Sequence, residues 1–279
     1  MAAQEAPSSH FAQAGRIKIH YHEAGTGYPL ICIHGAGPGA TGWSNFKGNF
    51  EYLSQHFRAI LIDMPQYGKS DKPVIEGGRL AFLAKTLRDF MEALKIEKAH
   101  FIGNSMGGQA SLKLAIDYPN KANRVVVIGS TPIKAGSIFQ PLPLEGIRNI
   151  RNYYLGDGPS VAKMRLVLES LVSNPALVTD DLVQERYEAS TDPEIVALAK
   201  KTQGDLEDLY FELAQVNTPT LLVWGQDDRA GALDVGLLML RRIESSRMYL
   251  FSRCGHWANV EHRAEFNRVV VDFLKSVER

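Results

Sequence analysis

The sequence predicts an α/β fold: a mostly parallel, doubly wound sheet with a helical cap inserted into it. Three observations carry this. Short apolar runs bounded by turn residues recur along the chain, amphipathic helical patterns lie between them, and one long stretch, 135–215, holds helix signals only.

In chain order, Arg16–Glu23 alternates in polarity and reads as an antiparallel edge strand. His20 and His22 fall on one face of it and read as surface decoration rather than metal ligands. Pro29–Ile33, Arg58–Ile62, His100–Ile102, Arg124–Ile128, Thr220–Trp224 and Met248–Phe251 are short, rich in Val, Ile and Leu, and mostly do not alternate. Strands buried on both faces of a parallel sheet have that composition. Leu80, Leu83, Leu87, Phe90, Met91 and Leu94 make one apolar helical stripe, and Met106–Tyr118 and Glu261–Val277 also read as helices. In the long interruption, Ser160 can cap a helix over Val161–Leu171. Thr179 or Asp180 can open another through Glu188, and Asp192-Pro193 a third with proline at its first position. Leu206–Gln215 reads as a fourth. These patterns divide the chain into a core of residues 1–134 and 216–279 and a cap of residues 135–215.

A chain of 279 residues can bury a large core without disulfides or metals. Lys plus Arg and Asp plus Glu are both 31, so nothing global draws the chain to nucleic acid or an anionic membrane. Two cysteines supply neither a disulfide framework nor zinc-ligand spacing, and free thiols suit a reducing compartment. Residues 1–15 have neither a basic nor an apolar leader region, and the uncharged stretch 24–46 is too rich in Gly and Pro to span a bilayer. The expectation is a cytoplasmic protein with no membrane or nucleic-acid partner, no cofactor and no metal.

The strongest chemical motif is Gly103-Asn104-Ser105-Met106-Gly107, between a predicted strand and a predicted helix. That context suits a nucleophile elbow, a strained turn that exposes the Ser105 hydroxyl. A hydroxyl needs a base. His256, after the last strand and preceded by Gly255, is the best placed of the eight histidines. The base in turn needs a carboxylate, and Gly225-Gln226-Asp227-Asp228 follows its own strand. Residue type alone leaves Asp227 and Asp228 as rivals. His34-Gly35-Ala36-Gly37-Pro38-Gly39 follows another strand, and its small residues would let backbone N–H groups face a developing oxyanion, with Met106 as the second donor. The same glycines loosely fit a dinucleotide fingerprint, with Asp63 ending the next strand. Pro38 removes an N–H that phosphate would need, and that reading leaves the elbow unexplained.

These motifs together resemble the meta-cleavage product hydrolases, C–C bond hydrolases of bacterial aromatic degradation within the α/β-hydrolase fold. The resemblance spans the chain and rests on His34-Gly-Ala-Gly-Pro-Gly-Ala-Thr-Gly-Trp-Ser-Asn45, Gly103-Asn-Ser-Met-Gly-Gly108, Trp224-Gly-Gln-Asp-Asp-Arg229 and Gly255-His-Trp257. It implies Ser105 as nucleophile, His256 as base and Asp228, rather than Asp227, as its partner, in the chain order of that fold. It implies Ala36 and Met106 as oxyanion donors within a loop containing Gly35 and Gly37. Asn45, Asn104 and Trp257 would contact the dienoate end of the substrate. Gln184-Glu185-Arg186-Tyr187 resembles the cap segment bearing the family's carboxylate-binding arginine, which would make that residue Arg186. Two positions depart from the pattern. Ala232 replaces an expected proline, which puts the shape of the Asp228 loop in doubt. Ala230 stands where biphenyl-pathway relatives carry a bulky aromatic, which implies room for an aryl-bearing substrate.

The resemblance implies hydrolysis of 2-hydroxy-6-oxo-hexa-2,4-dienoates, small aromatic ring-fission products, to a carboxylic acid and 2-hydroxypenta-2,4-dienoate. It implies a homo-oligomer and no cofactor. A carboxylesterase would use the same three residues. A ligand receptor on the same scaffold would bind tightly without turnover.

Overall fold

The computed structural model describes residues 7, 9–134, 137–140, 142–199, 201 and 207–276. The element order is β1 (Ser9–Ala14), β2 (Ile17–Ala24), β3 (Pro29–Ile33), α1 (Gly42–Ser54), β4 (Arg58–Ile62), α2 (Arg79–Ala93), β5 (Ala99–Asn104), α3 (Met106–Asp117) and β6 (Ala122–Ile128). Then come α4 (Glu145–Asn152), α5 (Val161–Glu169), α6 (Asp180–Ser190), α7 (Pro193–Ala199), β7 (Thr220–Gly225), α8 (Leu233–Arg242), β8 (Ser246–Phe251), α9 (Ala258–Glu261) and α10 (Arg263–Lys275).

The strands form one sheet in the order β1-β2-β4-β3-β5-β6-β7-β8. β2 runs antiparallel to both β1 and β4, and every other neighbouring pair is parallel. Side chains alternate across a strand, so β3 feeds two cores. Ile31 and Ile33 belong to the apolar cluster on one face, which also contains Leu83, Leu87 and Phe90 of α2 and, farther along the sheet, Val235 and Met239 of α8. Leu30 and Cys32 pack with Phe46 and Phe50 of α1 and with Phe266 and Val270 of α10. Both faces are covered, which is why these strands read as unbroken apolar runs.

The chain leaves β3 toward β4 and returns to β5 on the other side of β3. Between β3 and β5 the winding reverses, and beyond the carboxyl ends of such strands the loops splay apart into a crevice. The His34–Ala40 loop and Ser105 both sit there. The helices inserted between β6 and β7 close over a third apolar cluster: Tyr153, Met164, Val167, Leu168, Leu171 and Val183, joined by Trp257 and Ala230 from the sheet side. Their starts are set locally, since Ser160 accepts from Lys163 N–H and Thr179 from Leu182 N–H.

Several expectations change. The strand expected at Arg16–Glu23 is internal, because β1 pairs with Ile17–His22 on its outer side. His20 and His22 are therefore buried, not surface decoration. The expected helix from Glu261 is interrupted at His262, whose φ of −118° and ψ of 41° separate α9 from α10, and Val277 lies outside the described residues. Of the expected helix Leu206–Gln215, a short 3₁₀ turn at Glu212–Gln215 forms, and Leu206 lies outside the described residues. Ala135, where the cap was expected to begin, also lies outside them.

Candidate active site

Ser105 links β5 to α3 at φ 52° and ψ −116°, a conformation side-chain-bearing residues rarely adopt. Such a residue costs of order 1–3 kcal/mol and persists only where its surroundings impose it. Here they do. A Cβ on Gly103 would lie 2.3 Å from the Gly107 carbonyl carbon, and one on Gly107 would lie 2.3 Å from the Ile33 carbonyl oxygen. Both glycines are required by backbone packed against backbone. Ser105 N–H donates to Ile128 O at 2.8 Å, tying the turn to the end of β6.

His256 approaches Asp228 with Nδ1 2.9 Å from Oδ2 and 3.1 Å from Oδ1. An ionised carboxylate only accepts, so Nδ1 carries the proton and Nε2 is left free to accept one. Both residues are buried. Asp228 Oδ1 also accepts from the Ala230 and Gly231 N–H groups at 2.8 and 2.7 Å, which fixes the carboxylate plane. Asp227 points away and accepts from the Ser173 hydroxyl at 3.0 Å. The geometry thus separates two acids that residue type could not. Ala232, the departure from proline, has φ −58°, the value a proline would impose, so the loop keeps its course.

Arg186 emerges from α6 and is 2% exposed. Its Nε and Nη2 donate to Pro38 O at 3.0 and 2.8 Å, and its guanidinium stands 5.7 Å from the Trp257 ring centroid. Burial pulls its pKa down to about 10, which still leaves it charged at neutral pH. Among the described residues no carboxylate lies within ion-pair distance of it, and the adjacent Glu185 pairs with Lys47 at 2.6 Å. The glycine loop makes this burial possible. Gly39 has φ +65°, and a Cβ there would lie 2.1 Å from Arg186 O.

Gly35, Ala36, Gly37, Asn45, Asn104, Ser105, Arg186, His256 and Trp257 line one cavity of about 90 Å³, with Ile147 and Ala230 on its wall. Asn45 Oδ1 accepts from Gly35 N–H at 3.1 Å, while its buried Nδ2 has no partner among the described residues. Asn104 Nδ2 donates to Ile128 O at 3.3 Å. The N–H groups of Ala36 and Met106 find no acceptor among the described residues. Ile147 and Ala230 also line a second, more open cavity of about 420 Å³, walled mainly by Ile133, Leu144, Val235 and Ala232, with Arg151 among its polar residues.

The nucleotide reading fails on Asp63. Its carboxylate is engaged by His20 Nδ1 and by the N–H groups of Gly42 and Lys69, with no side left for a ribose. Gly129 escaped the sequence reading. It has φ +55°, and a Cβ there would lie 2.7 Å from His256 Nδ1 and 2.8 Å from Asp228 Oδ2. Its place, directly after an apolar run, was the available signal.

Residues 28–263 match the alpha/beta hydrolase fold family. A 2-hydroxy-6-oxononadienedioate/2-hydroxy-6-oxononatrienedioate hydrolase of Paraburkholderia xenovorans (strain LB400) is 37% identical over 98% of this chain and 97% of its own. A 2-hydroxy-6-oxo-6-phenylhexa-2,4-dienoate hydrolase of Comamonas testosteroni is 38% identical over 92% of this chain and 91% of its own. Among solved structures, a meta-cleavage product hydrolase from Pseudomonas fluorescens IP01, a serine-to-alanine mutant complexed with acetates, superposes with a TM-score of 0.85. It is 30% identical and covers 96% of this chain and 97% of its own.

Proposed function

This chain belongs to the meta-cleavage product hydrolases of the α/β-hydrolase fold, and from that premise we propose how its residues divide the work. The enzyme hydrolyses the C5–C6 bond of 2-hydroxy-6-oxo-hexa-2,4-dienoates. Ser105 Oγ attacks C6 while His256 Nε2 takes its proton, and Asp228 stabilises the imidazolium. The Ala36 and Met106 N–H groups receive the negative charge on the C6 oxygen. Collapse breaks C5–C6. The departing pair is delocalised once the 2-hydroxydienoate has tautomerised to its ketone, and C5 keeps the proton gained in that step. The imidazolium gives its proton to O2 of the departing dienolate, which leaves as 2-hydroxypenta-2,4-dienoate, and neutral His256 then deprotonates the water that releases the carboxylic acid from Ser105.

The carrying observation is the buried guanidinium of Arg186, which lines the cavity that holds Ser105 and pairs with no carboxylate among the described residues. A cation removed from water is strongly disfavoured unless an anion meets it. The C1 carboxylate of the substrate supplies one, and Asn45 Nδ2, Asn104 and Trp257 complete that end. A simple esterase substrate would leave the guanidinium unmatched. The helices of 135–215 act as the cap that excludes water. The enzyme works in the cytoplasm as a homo-oligomer, and no described helix is long and apolar enough to cross a membrane.

The 6-substituent extends past Ala230 and Ile147 into the apolar second cavity, which favours an aryl group. Arg151 on that cavity's lining favours, as a second reading, a substituent ending in a carboxylate. A panel of 6-phenyl, 6-alkyl and 6-carboxyalkyl dienoates, followed by loss of visible absorbance beside a p-nitrophenyl ester, separates these. Preference for the 6-phenyl compound supports the first reading. Preference for the neutral ester would overturn the C–C hydrolase assignment.

A further inference from the structure

His34 closes β3 directly beneath the glycine loop and is completely buried. Two neighbours determine its tautomer. Met64 N–H can only donate, and it reaches Nε2 at 3.0 Å. The Gly35 carbonyl can only accept, and it lies 2.8 Å from Nδ1. Only the neutral ring with its proton on Nδ1 satisfies both. Burial lowers the pKa of His34, which keeps the ring in that form.

A trans peptide is planar, so its C=O and N–H point in opposite directions. The Gly35 carbonyl is drawn back onto the imidazole. The N–H of the same peptide, which belongs to Ala36, therefore faces away from His34, and Gly35 and Ala36 both line the cavity that contains Ser105. The next peptide is held as well, because the Tyr67 hydroxyl donates to Ala36 O at 3.2 Å. The two rings meet edge to face at 4.9 Å, so each braces the other. Ala36 thus sits between two clamped peptides.

We propose that His34 and Tyr67 are positioning residues that fix the direction of the Ala36 N–H before charge develops on the substrate oxygen. The proposal rests on Ser105 as nucleophile and Ala36 as oxyanion donor. A donor aimed in advance needs no reorganisation during the reaction, which is what makes such groups effective.

The test compares His34→Ala, His34→Asn and Tyr67→Phe. Two probes accompany turnover: Kd for the dienoate in a Ser105→Ala background, and inhibition by phenylboronic acid, whose boron bonds a serine oxygen to form a tetrahedral boronate anion with a hydroxyl oxygen where the oxyanion forms. His34→Ala should lower kcat by about 10²–10³-fold, the effect of losing one oxyanion donor. His34→Asn, whose amide N–H replaces the Nδ1 donor, should recover much of that. Tyr67→Phe should lower kcat by about 2–10-fold, as expected for one neutral hydrogen bond. Boronate affinity should fall in step with kcat, while Kd for the dienoate stays unchanged. A parallel loss of dienoate affinity, or unchanged boronate affinity beside a reduced kcat, would overturn the proposal. Should His34→Ala fail to fold, Tyr67→Phe removes a single oxygen and keeps the test decisive. A wild-type protein that turns over the dienoate yet ignores the boronate would overturn the nucleophile reading instead.

Discussion

The molecule contains two buried His–Asp pairs of nearly the same geometry. His256 Nδ1 lies 2.9 Å from Asp228 Oδ2, and His20 Nδ1 lies 2.8 Å from Asp63 Oδ2. Their surroundings differ. The ring of His256 borders the cavity that contains Ser105. The ring of His20 is packed against Phe11 and His22, and its buried Nε2 has no partner among the described residues. Asp63 holds the first N–H of α1, the Lys69 N–H and His20 together, so it joins β2, β4, the start of α1 and the turn after β4. A His–Asp pair is therefore a chemical possibility, and its place in the fold decides what it does. At the carboxyl ends of the central strands it borders a cavity that Ser105 also lines. Against the antiparallel end of the sheet it is a structural clasp.

That contrast is most exposed to Asp228→Asn. The substitution should lower kcat by about 10⁴-fold by leaving His256 in the wrong tautomer, with a normal melting temperature. Steady-state kinetics beside thermal unfolding checks both halves, and a collapse of stability would make this pair a clasp too. Asp63→Asn should do the reverse. Breaking one partner of a buried pair costs about 3–5 kcal/mol of stability. Denaturant unfolding reads this, and the protein that remains folded should keep most of its kcat.

Arg186→Gln tests whether the cavity beside the His256–Asp228 pair also holds a site for anions. Losing one charge-assisted contact is worth about 1.5–3 kcal/mol, so kcat/KM for dienoates should fall by about 10–150-fold. Hydrolysis of p-nitrophenyl acetate should barely change, and equal losses on both substrates would point to a damaged cap.

The clasp should also show in acid. Burial would raise the pKa of Asp63, but the hydrogen bonds from His20 and from the Gly42 N–H hold it below its ordinary 3.8. A carboxyl lowered on folding contributes stability that is present above its unfolded pKa and lost as pH falls through the folded one. Unfolding free energy should therefore decline from about pH 4 downward, more steeply in the wild type than in Asp63→Asn. The smallest effect belongs to Asp227→Asn. Its exposed carboxylate accepts a hydrogen bond from Ser173, and kcat should stay within about 3-fold, the scale of a surface contact.

How much was legible follows the range of the interaction. The Ser105 elbow is written in five consecutive residues, because its strain is resolved by glycines two positions to either side. Strands covered on both faces announced themselves as apolar runs. The first strand did not. Ser9–Ala14 mixes exposed and buried positions at the sheet margin, and without it His20 and His22 read as surface residues. The helix at Arg186 was visible, but its sequence is rich in charge, which normally marks a solvated face. Its burial depends on Pro38 and Gly39 in a loop far away in the chain.

By itself, then, the sequence determined the alternation of strands and helices, the helical interruption, and the Ser105 turn, all governed by neighbours within a few residues. The tertiary structure decided which aspartate faces His256, that a second His–Asp pair is a clasp, and that a charged helix buries its arginine. The bond from Arg186 to Pro38 spans 148 positions, and that from His256 to Asp228 spans 28. Burial and partner choice at such separations belong to the packed chain, because only packing brings the desolvating walls and the complementary atoms to one place.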